Sequence, residues 1–121
     1  MLQDHLFTLA DLQADGETVK TNIILNPSHP IFKGHFPDNP ILPGVCMMQM
    51  VKEVAETYIN KKIKLVLAQD IKFLSVINPE ESTMIHMELK IKIEDERIRI
   101  MVQLLDNAMV FFKFKGVFVE Q

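Results

Sequence analysis

The segment that decides the fold is His29–Val45, which reads HPIFKGHFPDNPILPGV. Its prolines, at positions 30, 37, 40 and 43, exclude a regular helix or a central strand, so a stiff, irregular loop is predicted. Pro43 stands where a helix tolerates proline, because the leading N–H groups of a helix have no intrahelical partner. A helix is therefore predicted to begin at about Pro43 and to end at about Asn60.

Two residues of this segment suit chemistry on a carbonyl compound. Gly44 exposes its backbone N–H at the positive end of the helix dipole, where an oxyanion can bind. His35 lies upstream on the same loop and has the side chain best suited to proton transfer near neutral pH. His29 is interpreted as a residue that shapes the loop. No metal site is predicted, because no second ligand pair or acidic cluster accompanies the two histidines.

The predicted helix is apolar almost all round in its first turns, which indicates burial on most sides. Cys46 is interpreted as a packing residue of this apolar stretch. A polar stripe follows at three- and four-residue spacing, formed by Gln49, Lys52, Glu53, Glu56 and Asn60. Lys52, Glu56 and Asn60 are interpreted as a solvated face. Gln49 is interpreted as a pocket residue because methionines surround it.

The rest of the chain predicts strands. Asp15 and Gly16 mark a hairpin turn between two apolar stretches. Apolar and polar residues alternate cleanly over 85–93 and 98–104, which is typical of half-buried antiparallel strands. Charged residues at 94–96 and the Asp106–Asn107 pair mark the turns that follow these strands. One helix among about six strands is α+β, and residues 1–121 are predicted to form a single domain.

Composition narrows the classes of function. The formal net charge of −3 gives no reason to expect a nucleic-acid partner. Cys46 is the only cysteine, so an intrachain disulfide is excluded and a reducing, cytoplasmic location is predicted. No apolar run reaches membrane-spanning length, and the first residues lack the pattern of a signal peptide, so neither feature is expected.

The motif from Gly34 to Val45 resembles the signature of the beta-hydroxyacyl-(acyl-carrier-protein) dehydratases of fatty-acid synthesis. The shared residues are Gly34-His35-Phe36-Pro37, Pro40 and Pro43-Gly44-Val45. Lys72, Phe73 and Pro79 extend the likeness more weakly. The resemblance implies a hot-dog fold, in which an antiparallel sheet wraps one long central helix. It also implies a dimer, because the family's sites lie at subunit interfaces.

The resemblance also implies roles for individual residues. His35 would remove the proton beside the thioester carbonyl, and the substrate would contact Phe36, Gly44, Val45 and Met48. The family places its catalytic acid on the helix fourteen residues after the histidine, and in this chain that residue is Gln49. The family's glutamine one turn later is replaced by Glu53. Gln49 and Glu53 are therefore predicted as catalytic residues, with Glu53 as a candidate replacement acid.

Three functions follow from the resemblance. The first is a dehydratase acting on 3-hydroxyacyl thioesters of acyl-carrier protein in fatty-acid, polyene or related lipid synthesis, weak or partner-dependent because Gln49 is no acid. The second is a non-catalytic subunit that binds acyl thioesters or pairs with an active paralogue. The third is an acyl thioesterase that uses Glu53. The predicted assembly is a homodimer or higher oligomer, or a heterodimer with a paralogue, and no cofactor or metal is expected.

Overall fold

The computed structural model describes residues 2–34 and 40–121, which contain six strands and two helices. In chain order these elements are β1 (Phe7–Asp15), β2 (Thr18–Leu25), α1 (Ile31–Gly34), α2 (Gly44–Ile59), β3 (Ile63–Phe73), β4 (Met84–Glu94), β5 (Arg97–Asp106) and β6 (Met109–Glu120). The long helix therefore begins and ends within one residue of the predicted bounds.

The six strands form one sheet in the order β1-β2-β4-β5-β6-β3, and every neighbouring pair is antiparallel. Tight turns join three of the pairs, and Gly16, Asp95 and Asn107 each adopt a positive φ in them. Glycine, asparagine and aspartate reach this conformation at the lowest steric cost. The predicted hairpins are thus confirmed, and β1 and β3 are left as the edges of the sheet.

Helix α2 packs against the inner face of the sheet in a single core. Alternate residues of β2 and β4 point inwards and are buried, as their sequence pattern predicts. They meet the apolar residues of α2, among them the fully buried Met50, Val51 and Val54. An antiparallel sheet around one central helix confirms the hot-dog fold. Neither helix of the described residues has the length and hydropathy of a membrane span.

The loop prediction is wrong over Ile31–Gly34, where the chain forms the single helical turn α1. Pro30 directly precedes this turn, where an N–H would have no intrahelical partner, so the missing N–H of proline loses no hydrogen bond. The Pro30 carbonyl accepts a hydrogen bond from the Lys33 N–H at 3.0 Å. His29 Nδ1 accepts a hydrogen bond from the Ile31 N–H at 3.0 Å. The prediction that His29 shapes the loop is confirmed by this bond.

The interpretation of Glu56 as a solvated residue is also wrong. Its side chain is buried, and its Oε2 accepts a hydrogen bond from the Ile63 N–H at 2.9 Å. Glu56 is buried because the chain turns back after Asn60. Asn60 ends α2 with a φ of 62° and donates its N–H to the Glu56 carbonyl. Strand β3 then begins over the end of the helix, and Glu56 satisfies its first N–H. Asn60 itself is exposed and Lys52 is half-buried.

Candidate functional site

The N-terminus of α2 carries backbone donors that have no partner within residues 2–34 and 40–121. Pro43 is the N-cap residue, with extended backbone at φ −64° and ψ 147°, and its carbonyl accepts hydrogen bonds from the N–H groups of Cys46 and Met47. Among the described residues, none accepts a hydrogen bond from the N–H of Gly44 or Val45. Because these donors lie at the positive end of the helix, they can bind a carbonyl oxygen on which negative charge develops.

Gly44 is in close contact with the ring of Phe73, the last residue of β3. A Cβ atom at position 44 would lie 2.7 Å from the Cε1 and Cζ atoms of this ring, so only glycine fits without movement of Phe73. The Phe73 ring also packs against Phe112, with 5.2 Å between the ring centroids. The end of β3 thus covers one side of the helix start.

Gln49 and Glu53 are brought together one turn apart on α2. The Gln49 amide donates a hydrogen bond from Nε2 to Glu53 Oε2 at 2.9 Å. Glu53 is fully buried, with 0% of its surface exposed, whereas Gln49 is half-buried. The pair that the sequence singled out is therefore a single hydrogen-bonded unit, with the amide nearer the surface.

The backbone of the N-terminal segment completes the environment of Glu53. The Leu2 N–H lies 3.0 Å from Oε1 and 2.9 Å from Oε2, and the Gln3 N–H donates to Oε1 at 2.8 Å. Sequence reasoning did not find this contact. The donors are backbone groups about fifty residues from Glu53, and any residue type at positions 2 and 3 except proline could provide them.

These hydrogen bonds set the charge of Glu53. Burial by itself raises the pKa of the Glu53 carboxyl, whereas the hydrogen bonds from the N–H groups of Leu2 and Gln3 and from the Gln49 amide lower it, and the net result is a lowered pKa. Glu53 is therefore an ionised carboxylate at neutral pH. A carboxylate in this state accepts hydrogen bonds and has no proton to give to a leaving group.

The other predicted site residues lie in different environments. Val45 is 75% exposed, and Met48 is half-buried against the core. Burial raises the pKa of the Cys46 thiol, which supports its interpretation as a packing residue. His35 and Phe36 lie outside the described residues, so their predicted roles stay predictions.

Three surface cavities, of about 400, 280 and 310 Å³, are lined mainly by residues of the sheet strands. None of the three is lined by Gln49, Glu53, Met48 or Gly44. The candidate site is formed by the first three turns of α2, together with the end of β3 and the N-terminal segment, and its helix residues line none of these cavities.

Comparison with known proteins gives a family match and a fold match. Residues 11–113 match the family model of the ApeI-like proteins, described as ApeI dehydratase. The 3-hydroxyacyl-(acyl-carrier-protein) dehydratase FabZ of Caulobacter vibrioides (strain NA1000 / CB15N) is 30% identical over 91 residues, which are 74% of this chain and 53% of that protein. The chain thus spans about half the length of the curated relatives it matches.

Two solved structures share the fold at low sequence identity. One is a chain of the dehydratase heterocomplex ApeI:P from Xenorhabdus doucetiae, with a TM-score of 0.76 and 17% identity over 94% of this chain and 98% of that one. The other is an acyl-CoA hydrolase from Staphylococcus aureus, with a TM-score of 0.53 and 12% identity over 86% and 63% of the two chains. The same fold therefore occurs in proteins that differ in activity.

Proposed function

The chain belongs to the ApeI-like dehydratase family, and from this premise we propose that it is a dehydratase-like subunit that binds 3-hydroxyacyl thioesters of acyl-carrier protein in lipid synthesis. Its own dehydration is slow or depends on a partner subunit. The observation that supports this proposal is the hydrogen-bonded Gln49–Glu53 pair: the resemblance aligns the Gln49 amide with the family's acid, and the pKa of the neighbouring Glu53 carboxyl is lowered.

The proposed reaction is the loss of water from the 3-hydroxyacyl group. His35 removes a proton from the carbon beside the thioester carbonyl, and the Gly44 N–H stabilises the charge on the carbonyl oxygen. The carbon–oxygen bond to the hydroxyl then breaks, and the hydroxyl leaves as water with a proton taken from solvent water or from an acidic group of the partner subunit. Gln49 can hold the hydroxyl by a hydrogen bond but cannot supply this proton. The missing acid slows the reaction by about 10²- to 10⁴-fold.

The comparison of wild type with His35→Ala tests this function. We expect purified wild type to dehydrate short- and medium-chain 3-hydroxyacyl thioesters slowly, and His35→Ala to lose this activity while it keeps its fold. Formation of the unsaturated thioester is followed by mass spectrometry, alone and with a paralogue added. Hydrolysis of the thioester in place of water loss would identify a thioesterase and contradict the proposal.

A second candidate, a non-catalytic subunit that completes the site of an active partner, is favoured by the exposed edge strand β3. Every residue of β3 after Ile63 is exposed, although several are large and apolar. These are Leu65, Val66, Leu67, Ile71 and Phe73. A long apolar edge strand readily pairs with another chain, so β3 is the surface where a second subunit is proposed to bind.

Charges on β3 are expected to prevent this association. We expect wild type to be a dimer at micromolar concentration and Leu67→Lys/Ile71→Lys to be a monomer, since lysines on both chains would repel each other across the pairing. Multi-angle light scattering measures the mass. The matched control is Met101→Lys/Met109→Lys, which changes two apolar residues of β5 and β6 that are at least as exposed as Leu67 and Ile71, and it should remain a dimer. If both double-lysine variants remain dimers, β3 is excluded as the interface.

A further inference from the structure

The hydrogen bond between Gln49 and Glu53 fixes which end of the Gln49 amide is available to a ligand. An ionised carboxylate has only acceptor atoms, whereas an amide has a donor end and an acceptor end. Gln49 must therefore turn its Nε2 towards Glu53, as the 2.9 Å contact with Oε2 shows. Its carbonyl oxygen Oε1 has no hydrogen-bond partner among the described residues and is not enclosed in the core.

The N-terminal segment prevents Glu53 from changing its role. Both carboxylate oxygens already accept backbone N–H groups, from Leu2 and Gln3, at 2.8 to 3.0 Å. A backbone N–H cannot be exchanged for an acceptor, but a glutamine side chain can rotate by half a turn and reverse its two ends. Of the three groups hydrogen-bonded to the Glu53 carboxylate, only the Gln49 amide can therefore exchange its donor end for its acceptor end when the chemistry at position 53 changes.

We infer that Glu53 is a positioning residue, which holds Gln49 so that its carbonyl oxygen accepts a hydrogen bond from the 3-hydroxyl group of the acyl chain. This inference rests on the proposed function, because it concerns how the same site recognises its ligand. Gln49 then distinguishes acyl ligands by the oxidation state of their third carbon. A 3-hydroxyl can donate to Gln49 Oε1, whereas a 3-oxo group has only acceptor lone pairs and faces another acceptor.

The test is the selectivity of wild type and Glu53→Gln for two ligands. The new amide at position 53 can accept the N–H groups of Leu2 and Gln3 with its oxygen and donate its NH₂ group to Gln49, which must then reverse. The donor end of Gln49 now faces the ligand and can bind either oxygen. We expect wild type to bind a 3-hydroxyacyl ligand about ten-fold more tightly than its 3-oxo counterpart, and Glu53→Gln to bind both about equally.

The ligands are unreactive amide analogues, in which nitrogen replaces the thioester sulfur, and titration calorimetry measures their affinities. The matched control is Glu56→Gln, the same change on the same helix. The Glu56 carboxylate is buried and bonded to the Ile63 N–H, and the described contacts include none between it and Gln49. Glu56→Gln should keep the wild-type selectivity. The ¹⁵N–¹H signals of the Gln49 side-chain amide should shift in Glu53→Gln and stay in place in Glu56→Gln.

Each outcome supports or overturns the inference. Loss of selectivity in Glu53→Gln alone supports the positioning role. Equal affinities in wild type, or selectivity that persists in Glu53→Gln, overturn the inference, while the binding of acyl chains stands. If wild type and both variants are folded and bind neither ligand, the proposed function fails and the inference fails with it.

Discussion

Exchanging Gln49 and Glu53, in the double variant Gln49→Glu/Glu53→Gln, is expected to raise the dehydration rate by about 10²- to 10⁴-fold. This is the usual contribution of a positioned general acid. The exchange puts a carboxyl group at the family's acid position. The amide introduced at position 53 can still accept the N–H groups of Leu2 and Gln3, and its NH₂ group can donate to the new carboxyl at position 49. The Leu2 and Gln3 contacts to Oε1 and the contact between positions 49 and 53 therefore each have a counterpart, and only the Leu2 N–H contact to Oε2 has none.

The single variant Gln49→Glu should gain less than the exchange. It places two carboxyl groups in direct contact, and they can avoid repulsion only by sharing one proton. That proton then lies between the side chains at positions 49 and 53 and is not available to the substrate. Initial rates of water loss for the two variants and wild type measure the difference, with His35→Ala in the exchanged background as the inactive control. A rate that does not rise in the exchanged pair would mean that the acid is not what wild type lacks.

Removal of the Glu53 carboxylate is expected to have the largest effect on stability. Glu53→Leu leaves two backbone N–H groups and the Gln49 amide without their acceptor, at a cost of about 3 kcal/mol in the free energy of unfolding. Glu53→Gln should lose much less, because an amide oxygen can replace one carboxylate oxygen. Urea denaturation at neutral pH measures both values. Equal stabilities for Glu53→Leu and wild type would contradict the hydrogen-bonding role of the carboxylate.

The contribution of Glu53 should also depend on pH. Its pKa is lowered in the folded state from the ordinary value of 4.5, so in acid the unfolded chain takes up the proton first. The stabilisation is therefore complete well above pH 4.5 and is lost as the pH falls through the lowered pKa of the folded state. Wild type should lose stability relative to Glu53→Gln over this range. A stability difference between the two that does not vary with pH would show that the Glu53 pKa is not shifted.

Much of the fold could be predicted because its determinants are local. The turn at Gly16, the proline that precedes Gly44 and the alternation in β4 and β5 each act within a few residues of chain. Together these signals predict one helix and six antiparallel strands, which pack with their apolar faces buried. Sequence reasoning missed the short helix α1 because Pro30 disfavours a helix that continues through it, although a proline is tolerated at a helix start.

The candidate site could be predicted only in part, because its side chains act through contacts that are remote in sequence. Gln49 and Glu53 were singled out by the family resemblance, but the state of Glu53 depends on the backbone of Leu2 and Gln3. The spacing of Glu56 indicated a solvated residue, whereas the return of the chain at Ile63 buries it. The role of His35 rests on the sequence motif and stays a prediction.

The proposed function depends on Glu53 being an ionised, hydrogen-bonded carboxylate, because neither Gln49 nor Glu53 can then act as a general acid. Titration of the Glu53 carboxyl carbon by ¹³C NMR in the folded protein measures this property. We predict a pKa below the ordinary 4.5 and a proton-free carboxylate at neutral pH. A pKa raised above 4.5, towards neutrality, would be the opposite result and would make Glu53 the general acid of the site.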